Sequence, residues 1–364
     1  MESNEDMWDL EYYHGLLPRE DVEELLTKDG DFLVRKSEET SGTERIYVLS
    51  VNVAGQNRHA ILRHRRGMIA VDFTMERGYR TIHRFVEVHL RAEDSISSEA
   101  RVVIRRPIVR QKWELAHSTV TQGAELGRGA FGIVRRGTYK ERGAQPIPVA
   151  IKEVSQTSTK EQIKEFMNEA RIMRQFDHRN VIKKPDEAGA ANCTCAMEPP
   201  AGLDHIHSKG IIHCDIAARN CLFSSNSVKI ADFGLAHKGK KKTVEPGKPA
   251  PIKWMSPESL SEKAFTQKSD TWSFGVLCWE IFNDGDAPYQ NMTSTAVATM
   301  VFRGETLEFP ESAPNAFADF VLKHVWDESQ ASRYSMSEVQ SWLDRRISKL
   351  TGGSTKSEER HAHN

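Results

Sequence analysis

Alternating apolar and polar positions mark the first hundred residues and predict β-strands there. The stretches at 46–53 and 59–64 alternate in this way, which is typical of strands with one buried face. Residues 20–28 follow a longer period, because Val22, Leu25 and Leu26 fall on one side of a helix. A helix beside such strands predicts a domain of mixed α and β structure.

Buried strands and longer helices follow. The VAIK tetrad at 149–152, which is apolar except for Lys152, predicts a buried strand, and residues 161–176 have helical periodicity. Pro107 and the charged residues 110–112 mark a boundary between the two regions. We therefore expect an α+β fold in five segments, namely a tail at 1–11, a first domain at 12–108, a linker at 109–120, a second domain at 121–349 and a disordered tail at 350–364.

Length and charge limit the classes of function. The 364 residues suffice for about two to three domains. Fifty basic residues against 51 acidic ones leave a net charge of −1, which does not predict binding to nucleic acid. The sequence has no apolar run of the roughly 18 residues that span a bilayer, no secretory leader and an odd number of cysteines, five. We therefore expect a cytoplasmic protein with reduced thiols.

Charge is distributed unevenly in the first domain. Residues 1–44 contain 14 acidic and 4 basic residues, whereas residues 45–110 contain 13 basic and 6 acidic ones. A basic half of this kind often binds an anion, although a solvated charged face gives the same pattern. Arg35 follows three apolar residues at 32–34 on a strand. A guanidinium in such surroundings needs an anionic ligand or a neighbouring carboxylate.

Three segments of this domain resemble those of a Src-homology-2 (SH2) domain. They are YYHGLLPRE at 12–20, GDFLVRKSEETSG at 30–42 and GQNRHAILRH at 55–64. The resemblance implies that Arg35 binds a phosphotyrosine phosphate in bidentate fashion. It also implies that Arg19 and His59 flank the phosphotyrosine ring, and that Ser37 and Thr40 donate hydrogen bonds to the phosphate.

A glycine-rich segment opens the second domain. LGRGAFGIV at 126–134 contains Leu126, Gly127, Gly129, Gly132 and Val134. Glycines at this spacing let a strand–turn–strand backbone approach phosphate oxygens, although an ordinary tight turn explains them as well. Lys152 is the polar member of the VAIK tetrad, so its ammonium needs an anionic partner. Glu169 on the next helix is a candidate for that partner, and a solvated helix residue is the alternative.

Two later segments carry candidate catalytic groups. IIHCDIAARNCLF at 211–223 places Asp215 and Asn220 five residues apart on a loop, and Asp232 opens the DFG of VKIADFGLA at 228–236. This spacing suits phosphoryl transfer, in which one carboxylate accepts a hydroxyl proton while another carboxylate and an amide hold Mg²⁺. We therefore expect Asp215 as the base and Asn220 with Asp232 as the metal ligands.

The order of these motifs resembles a protein kinase from Trp113 to about Lys349. AARN at 217–220 and PIKWMSPE at 251–258 are similar to the tyrosine-specific branch. With the SH2-like module, the chain resembles the Fes/Fer group of cytoplasmic tyrosine kinases. The resemblance implies ATP and Mg²⁺ as cofactors, Lys152 as the phosphate clamp, Arg219 as a residue that positions the acceptor tyrosine, and an adenine site formed by Val134, Ala150 and Leu222.

The same resemblance implies structural roles for residues around the catalytic loop. Asp270 is expected to hold the backbone of that loop, and Glu258 is expected to pair with Arg333. A stack of hydrophobic side chains is expected from Met173, His213 and Phe233.

Cys214 stands where the family has an arginine that receives a phosphate from the activation segment. A short, uncharged thiol cannot bind that phosphate, and residues 235–255 contain no tyrosine. We therefore expect any activity to be independent of phosphorylation in this segment. The segment carries lysines that either attract acidic or phosphorylated substrates or form a solvated loop, namely Lys238, Lys240, Lys241 and Lys242.

The segment at 183–201 is unusually short for a kinase. It has 19 residues, whereas two strands, the adenine-binding hinge and most of a long helix need about 35–45 residues at ~5–6 per strand and ~11 per helix. It is also rich in Ala, Pro and Gly, without the β-branched alternation of strands. We therefore expect a two-lobed kinase domain with a truncated small lobe that lacks the usual hinge.

Two functions from different classes remain open. The first is an ATP-dependent protein-tyrosine kinase that phosphotyrosine binding directs to its targets, and the retained Lys152, Glu169 and Asp215 favour it. The second is a phosphotyrosine-binding adaptor with a catalytically dead kinase domain, which the missing hinge favours. The expected partners are tyrosine-phosphorylated proteins and protein tyrosine substrates, with membrane contact peripheral and through those partners.

Overall fold

The structure is a computed structural model that divides into two compact units, Met1–Met167 and Asn168–Asn364. The described residues are 7–38, 45–65, 67–71, 78–97, 101–111, 113–115, 117–129, 132–141, 143–154, 159–182, 199–224, 227–244, 247 and 250–351. Within these ranges, no helix combines the length and the apolar character that crossing a membrane requires.

The first unit begins with a sheet in the order β1-β2-β3-β4-β5, and β6 runs parallel to β2. Its strands are β1 (Tyr13–Leu16), β2 (Asp31–Glu38), β3 (Arg45–Val53), β4 (Gln56–Arg65), β5 (Met68–Ala70) and β6 (Arg106–Pro107). Its helices are α1 (Arg19–Leu25) and α2 (Ile82–Ala92). The strands predicted at 46–53 and 59–64 are thus confirmed. The helix predicted at 20–28 is confirmed as far as Leu25, where α1 ends.

Strand β2 is buried on both faces because a helix covers each one. Phe32 and Val34 belong to a core cluster with Phe85 of α2, whereas Leu33 packs in a separate cluster with side chains of α1. Side chains alternate along a strand, so Arg35 lies on the same face as Leu33, toward α1. This alternation brings one charged residue into the sheet without disturbing the larger core on the other face.

The packed module extends beyond the predicted boundaries of 12–108 at both ends. Met7 and Leu10, which the sequence places in the tail, are buried in the core of the sheet. Glu114, which the sequence places in the linker, has a carboxylate oxygen 2.9 Å from Nδ1 of His14. A boundary drawn from composition alone cannot include these flanks, because their hydrophobic and polar contacts form only in the folded chain.

Three antiparallel strands complete the first unit. They are β7 (Val120–Gly129), β8 (Gly132–Tyr139) and β9 (Ile147–Val154). The strand predicted at 149–152 lies within β9, but the prediction that it is buried is wrong, because Ala150 is exposed and the other three residues are half-buried. Helix α3 (Lys160–Met173) follows, and it confirms most of the helix predicted at 161–176. The segment predicted to lack the hinge, 183–201, lies outside the described residues as far as residue 198.

The second unit is mainly helical. Its helices are α4 (Pro199–Ser208), α5 (Pro257–Glu262), α6 (Gln267–Phe282), α7 (Ser294–Phe302), α8 (Asn315–Phe320), which continues as a π-helix over Val321–Val325, and α9 (Met336–Thr351). Its strands are short and paired two by two: β10 (Ile211–Ile212) with β13 (His237–Lys238), β11 (Cys221–Ser224) with β12 (Ser227–Ile230), and β14 (Lys242–Thr243) with β15 (Ala264–Phe265). Helix α9 ends two residues beyond the predicted domain end at 349, and the rest of the predicted tail lies outside the described residues.

Helix α6 forms the centre of this unit and is buried over most of its length. Thr266 caps its first turn, since its hydroxyl accepts from the Ser269 N–H and Ser269 returns a bond to the Thr266 backbone. Gly275 allows an aromatic ring to lie against the helix backbone, because a Cβ there would come within 2.3 Å of Nε1 of Trp326. That indole donates in turn to the carbonyl of Trp272, at 3.2 Å.

Candidate functional site

A buried guanidinium lies at the centre of the predicted phosphotyrosine site. Arg35 is 7% exposed; its Nη1 donates to the carbonyl of Leu17 at 2.9 Å and its Nε to Oγ of Ser50 at 3.4 Å. Burial, followed by the nearby Arg19, lowers the pKa of Arg35 from its ordinary value. A cation that is desolvated beside another cation is better stabilised by an anionic ligand than by water.

His59 lies across the strand pair from Ser50 and completes a polar triad with it and Arg35. Its Nδ1 is 2.9 Å from Oγ of Ser50. Burial, then the charges of Arg35 and Arg19, lowers the pKa of His59 to about 4, so the ring is neutral at pH 7. Ser37 lies on β2 and is half-buried, whereas Thr40 falls outside the described residues. Ser50 was not among the predicted site residues. The feature that could have indicated it is a hydroxyl inside the apolar strand 46–53.

The predicted nucleotide-binding residues of the first unit lie on β7, β8 and β9. Gly127, Val134 and Lys152 form one row across the three strands, since Val134 pairs with both of the others. Gly129 and Gly132 close the hairpin, and Gly132 has a φ of +150° that favours glycine. A Cβ at Gly127 would meet no atom within 4 Å, so packing within the protein does not require glycine there.

The remaining predicted adenine contacts are accessible. Leu126 on β7 is 56% exposed, and Leu222 on β11 of the second unit is 45% exposed. Ala150 is exposed on β9, two residues before Lys152 and therefore on the same face of the strand. Exposed apolar side chains of this size suit contact with a planar ligand, although single exposed leucines are also ordinary on surfaces.

The catalytic loop of the second unit surrounds the carboxylate of Asp215. Nδ2 of Asn220 donates to Oδ2 and to the backbone carbonyl of Asp215, both at 2.8 Å. Nη2 of Arg219 donates to Oδ1 of the same carboxylate. Two charge-assisted hydrogen bonds therefore hold the predicted base in one orientation. Because the amide nitrogen of Asn220 is used in this way, its Oδ1 is the atom suited to a cation.

A buried carboxylate on α6 supports this loop. Asp270 accepts from the backbone N–H of His213 at 2.7 Å and from that of Cys214 at 2.9 Å, as the resemblance implied. His213 is neutral, because burial lowers its pKa and its two nitrogens have different partners. Nδ1 accepts from the N–H of Asp215 at 3.3 Å, and Nε2 donates to the carbonyl of Ala231 at 3.2 Å.

The DFG segment lies beside the loop. Asp232 is exposed and has a φ of +63°, and its Oδ1 accepts from the Gly234 N–H at 3.1 Å. Phe233 is fully buried, with its ring centroid 4.9 Å from that of His213. The N–H of Ala231 donates to the carbonyl of Asn220 at 2.9 Å, which ties the two predicted metal ligands together through the backbone. One carboxylate and one amide oxygen are hard donors of the type that Mg²⁺ binds.

Glu169, the predicted partner of Lys152, is buried on the part of α3 that belongs to the second unit. Its Oε2 would lie 3.9 Å from a Cβ built on Gly234. The predicted ion pair between Glu258 and Arg333 is present, with nitrogen–oxygen distances of 2.5 and 3.0 Å. Within the described ranges, no group of three or more His, Cys, Asp or Glu is arranged to hold a metal ion.

Glu280 and Trp254, which were not among the predicted site residues, connect the catalytic loop to the predicted site of the acceptor tyrosine. Oε2 of Glu280 on α6 accepts from the N–H of Ala218 at 2.9 Å and from Nε1 of Trp254 at 3.1 Å. The Trp254 ring lies 4.3 Å from the guanidinium of Arg219, a cation–π contact. Burial raises the pKa of Glu280, while these hydrogen bonds oppose the shift. The signal was a carboxylate inside the apolar helix SFGVLCWEIF.

Comparison with known proteins agrees with this geometry. The family model for protein tyrosine and serine/threonine kinases matches residues 120–186 and 188–343, and the SH2 domain model matches residues 12–89. The break at residue 187 falls inside the short segment 183–201. Human tyrosine-protein kinase Fer is 34% identical over 375 residues, which cover 94% of this chain and 44% of Fer. Fer-related kinase 1 of Caenorhabditis elegans is 32% identical, over 93% of this chain and 94% of that protein.

The chain belongs to the Fer/Fps family of protein tyrosine kinases. The transforming protein Fps of avian sarcoma virus (strain PRCII) is a further relative, 32% identical over 91% of this chain and 67% of its own length. The chain thus spans less than half of human Fer and nearly all of the nematode relative. The predicted resemblance, the order of the SH2 and kinase domains and the α+β fold are confirmed. In this member of the family, contacts among the catalytic loop, the DFG segment and α6 hold these three elements in defined positions.

Arg35→Lys tests the phosphotyrosine site. Lysine keeps the charge but loses the planar fork, and each charge-assisted bond is worth ~1.5–3 kcal/mol. We expect phosphopeptide affinity to fall by at least about 100-fold in titration calorimetry. Arg58→Lys on β4 is the matched control, because Arg58 is exposed and bonds only to Gln56 among the contacts described here. Binding by the Arg35 variant within a factor of two of the parent would contradict the assignment.

Glu280→Ala tests the support of the catalytic loop. The change leaves two partly buried N–H donors without an acceptor and frees Trp254 from the loop, so we expect kcat for peptide phosphorylation to fall by about ten- to 100-fold. Glu280→Gln keeps one acceptor oxygen and should recover part of the loss. Asp344→Ala on α9 is the control, since Asp344 is exposed. A lower melting temperature with unchanged kcat would show that Glu280 is structural only.

Proposed function

We propose that the protein is an ATP- and Mg²⁺-dependent protein-tyrosine kinase that its SH2 domain directs to tyrosine-phosphorylated proteins in the cytoplasm. The observation that carries the proposal is the carboxylate of Asp215, which Arg219 and Asn220 orient from two sides. A carboxylate fixed in this way can accept the proton of a tyrosine hydroxyl as phosphate transfer proceeds. Family membership and the retained motifs support the enzyme over the adaptor.

Arg219 has a second role in this proposal. Its guanidinium touches both the base and the indole of Trp254, so an acceptor tyrosine beside them meets a fixed donor and an aromatic wall. Such positioning contributes more to phosphoryl transfer than covalent chemistry does. We assign Arg219 to the orientation of the acceptor hydroxyl toward Asp215.

The nucleotide is expected to lie against the row formed by Gly127, Val134 and Lys152. Lys152 would neutralise phosphate charge, and Glu169 is proposed to orient the lysine. Oδ1 of Asn220 and the carboxylate of Asp232 would hold Mg²⁺, which when bound neutralises charge on the phosphates. Val134, Ala150, Leu126 and Leu222 are proposed to contact adenine, without the backbone hydrogen bonds of the usual hinge.

We infer that apolar packing around Cys214 holds the activation segment in place. Cys214 is 3% exposed and packs with Ile212, Met255 and Phe265, and burial raises the pKa of its thiol well above the usual range. Side chains of the activation segment and of α5 pack against this cluster, namely Leu235, Val244, Ala250, Ile252 and Leu260. The pairing of β14 with β15 adds backbone hydrogen bonds. We infer that the segment needs no phosphorylated residue to become ordered.

The full chain tests the proposed reaction directly. We expect Mg²⁺-dependent transfer from ATP to a tyrosine peptide, and Asp215→Asn should reduce kcat by about 100- to 10,000-fold because the amide cannot accept the proton. The phosphopeptide affinity of this isosteric variant serves as the control and should not change. Phosphopeptide binding without any transfer by the parent chain would contradict the kinase assignment and support the adaptor.

The same assay tests regulation. After phosphatase treatment we expect kcat to stay within about twofold of its starting value, because the contacts around Cys214 are apolar and do not involve phosphate. Thr243 is the hydroxyl residue of the segment 235–254, and Thr243→Ala should also leave the rate unchanged. Loss of activity on dephosphorylation, restored by phosphorylation of Thr243, would refute the inference.

A further inference from the structure

A basic cavity of about 590 Å³ opens on the second unit where α4, β10, β13 and the start of α6 meet. Four lysines line it, namely Lys209, Lys238, Lys240 and Lys268. Among the described residues that form its walls, none is acidic. The cavity is separate from the residues assigned to the nucleotide, the acceptor tyrosine and the phosphotyrosine site.

The walls of the basic cavity are held by hydrogen bonds. The strand pair β10 and β13 brings Lys238 opposite Ile211, and the Gly239 N–H donates to the carbonyl of Gly210 at 2.9 Å. On the α6 side, Nε2 of Gln267 donates to the carbonyl of His207 at 2.7 Å. The lysines are therefore gathered by ordered backbone and not by a chance approach of long side chains.

The charge of the basic cavity is only partly balanced nearby, where the carboxylate of Glu338 interacts with Lys268. In the described part of the chain, none of its four lysines forms an ion pair with a carboxylate. Lys238 donates to the amide oxygen of Gln175, and Lys268 donates to the carbonyl of Arg333, so both partners are neutral. The adjacent Lys241, outside the cavity, pairs with Glu262 at 2.6 Å. Like charges collected in a concavity repel one another and raise the local concentration of anions.

We propose that the basic cavity binds an anionic segment of the protein substrate, acidic or phosphorylated, on the same polypeptide as the acceptor tyrosine. The inference rests on the proposed kinase function and names a substrate class for it. Gly210 lies five residues before Asp215, so the two Cα atoms are at most ~18 Å apart. Lys240 lies on the chain between Asp232 and Trp254. An extended substrate of about six residues is therefore long enough to span that distance.

The concave shape favours a peptide over a membrane surface. A carboxylate or phosphate on a flexible chain can enter between lysines that surround it, and several weak contacts then act together. A bilayer surface presents its headgroups in a plane and would contact the rim. The expected consequence is selectivity for tyrosines that have acidic or phosphorylated residues about six positions away.

Peptide kinetics with the full chain test this proposal. Two peptides have the same sequence around the acceptor tyrosine. About six residues from it, the anionic peptide has three glutamates or phosphoserines, and the neutral peptide has three glutamines. We expect a lower KM for the anionic peptide with similar kcat. The double change Lys209→Gln with Lys240→Gln should raise that KM about three- to tenfold and leave the neutral peptide unaffected. Added salt should reduce the difference.

Lys241→Gln with Lys323→Gln is the matched control. It removes the same net charge from two exposed lysines outside the cavity, and we expect it to leave both KM values unchanged. Equal KM values for the two peptides in the parent chain would overturn the proposal. An equal rise of KM in the cavity and control variants would also overturn it, because the effect would then come from net charge alone.

A binding measurement separates this proposal from the kinase assignment. The anionic phosphoserine peptide, with phenylalanine in place of the acceptor tyrosine, is labelled and titrated by fluorescence anisotropy against the Arg35→Lys protein. We expect binding that the cavity variant weakens about three- to tenfold, even if no phosphate transfer is detected. Equal affinity of the peptide for the Arg35→Lys protein with and without the two cavity substitutions would overturn the proposal. Vesicles that contain phosphatidylinositol bisphosphate are tested in the same way. If they bind in place of the peptide, and if this binding needs the same lysines, the proposal is overturned.

Discussion

The carboxylate of Asp270 is the constraint on which the catalytic loop depends. It is 1% exposed, and a buried carboxylate is tolerable when its oxygens accept several hydrogen bonds. Two of these come from the backbone of His213 and Cys214, and the third partner is Nε2 of His207. Its place in the first turn of α6 adds the favourable end of the helix dipole. The bonds hold Cys214 at a φ of +67°, a conformation that a non-glycine residue rarely adopts without such support.

Helix α6 fixes the loop at two points. Asp270 holds its beginning, and Glu280, ten residues later, holds Ala218 and Trp254. At ~1.5 Å per residue the two carboxylates are about 15 Å apart along one rigid helix. Asp215 lies in the stretch between these anchors, so its orientation is set by a buried element that touches no substrate. This arrangement explains why an apolar helix retains two acidic residues.

Candidate site residues are easier to predict from a sequence than packing contacts are. Phosphate chemistry and the family resemblance predict Asp215, Asn220, Asp232 and Arg35, and the structure brings the first two together and buries Arg35, while their roles stay predictions. Glu280 could not be predicted in this way, because its role appears once the chain folds and brings Trp254 and Ala218 to it. For the same reason the buried Met7 fell outside the predicted first domain. The strands of the SH2 module were recovered because alternation is a local property, whereas Thr40 and most of 183–201 lie outside the described residues.

With Cys214 in place of an arginine, apolar packing replaces charge at this position of the catalytic loop. A guanidinium in the cluster of Ile212, Met255 and Phe265 would need a buried anionic partner, and without one its desolvation would cost several kcal/mol. A protonated thiol fits that cluster without an anionic partner, and it donates a weak hydrogen bond to the carbonyl of Ile212 at 3.7 Å. Apolar contact, which salt hardly weakens, thus contributes to the proposed order of the activation segment, beside the hydrogen bonds between β14 and β15. The lysines of the basic cavity, by contrast, are proposed to act through charge that salt screens. If both proposals hold, we expect ionic strength to affect the choice of substrate more than the order of the activation segment.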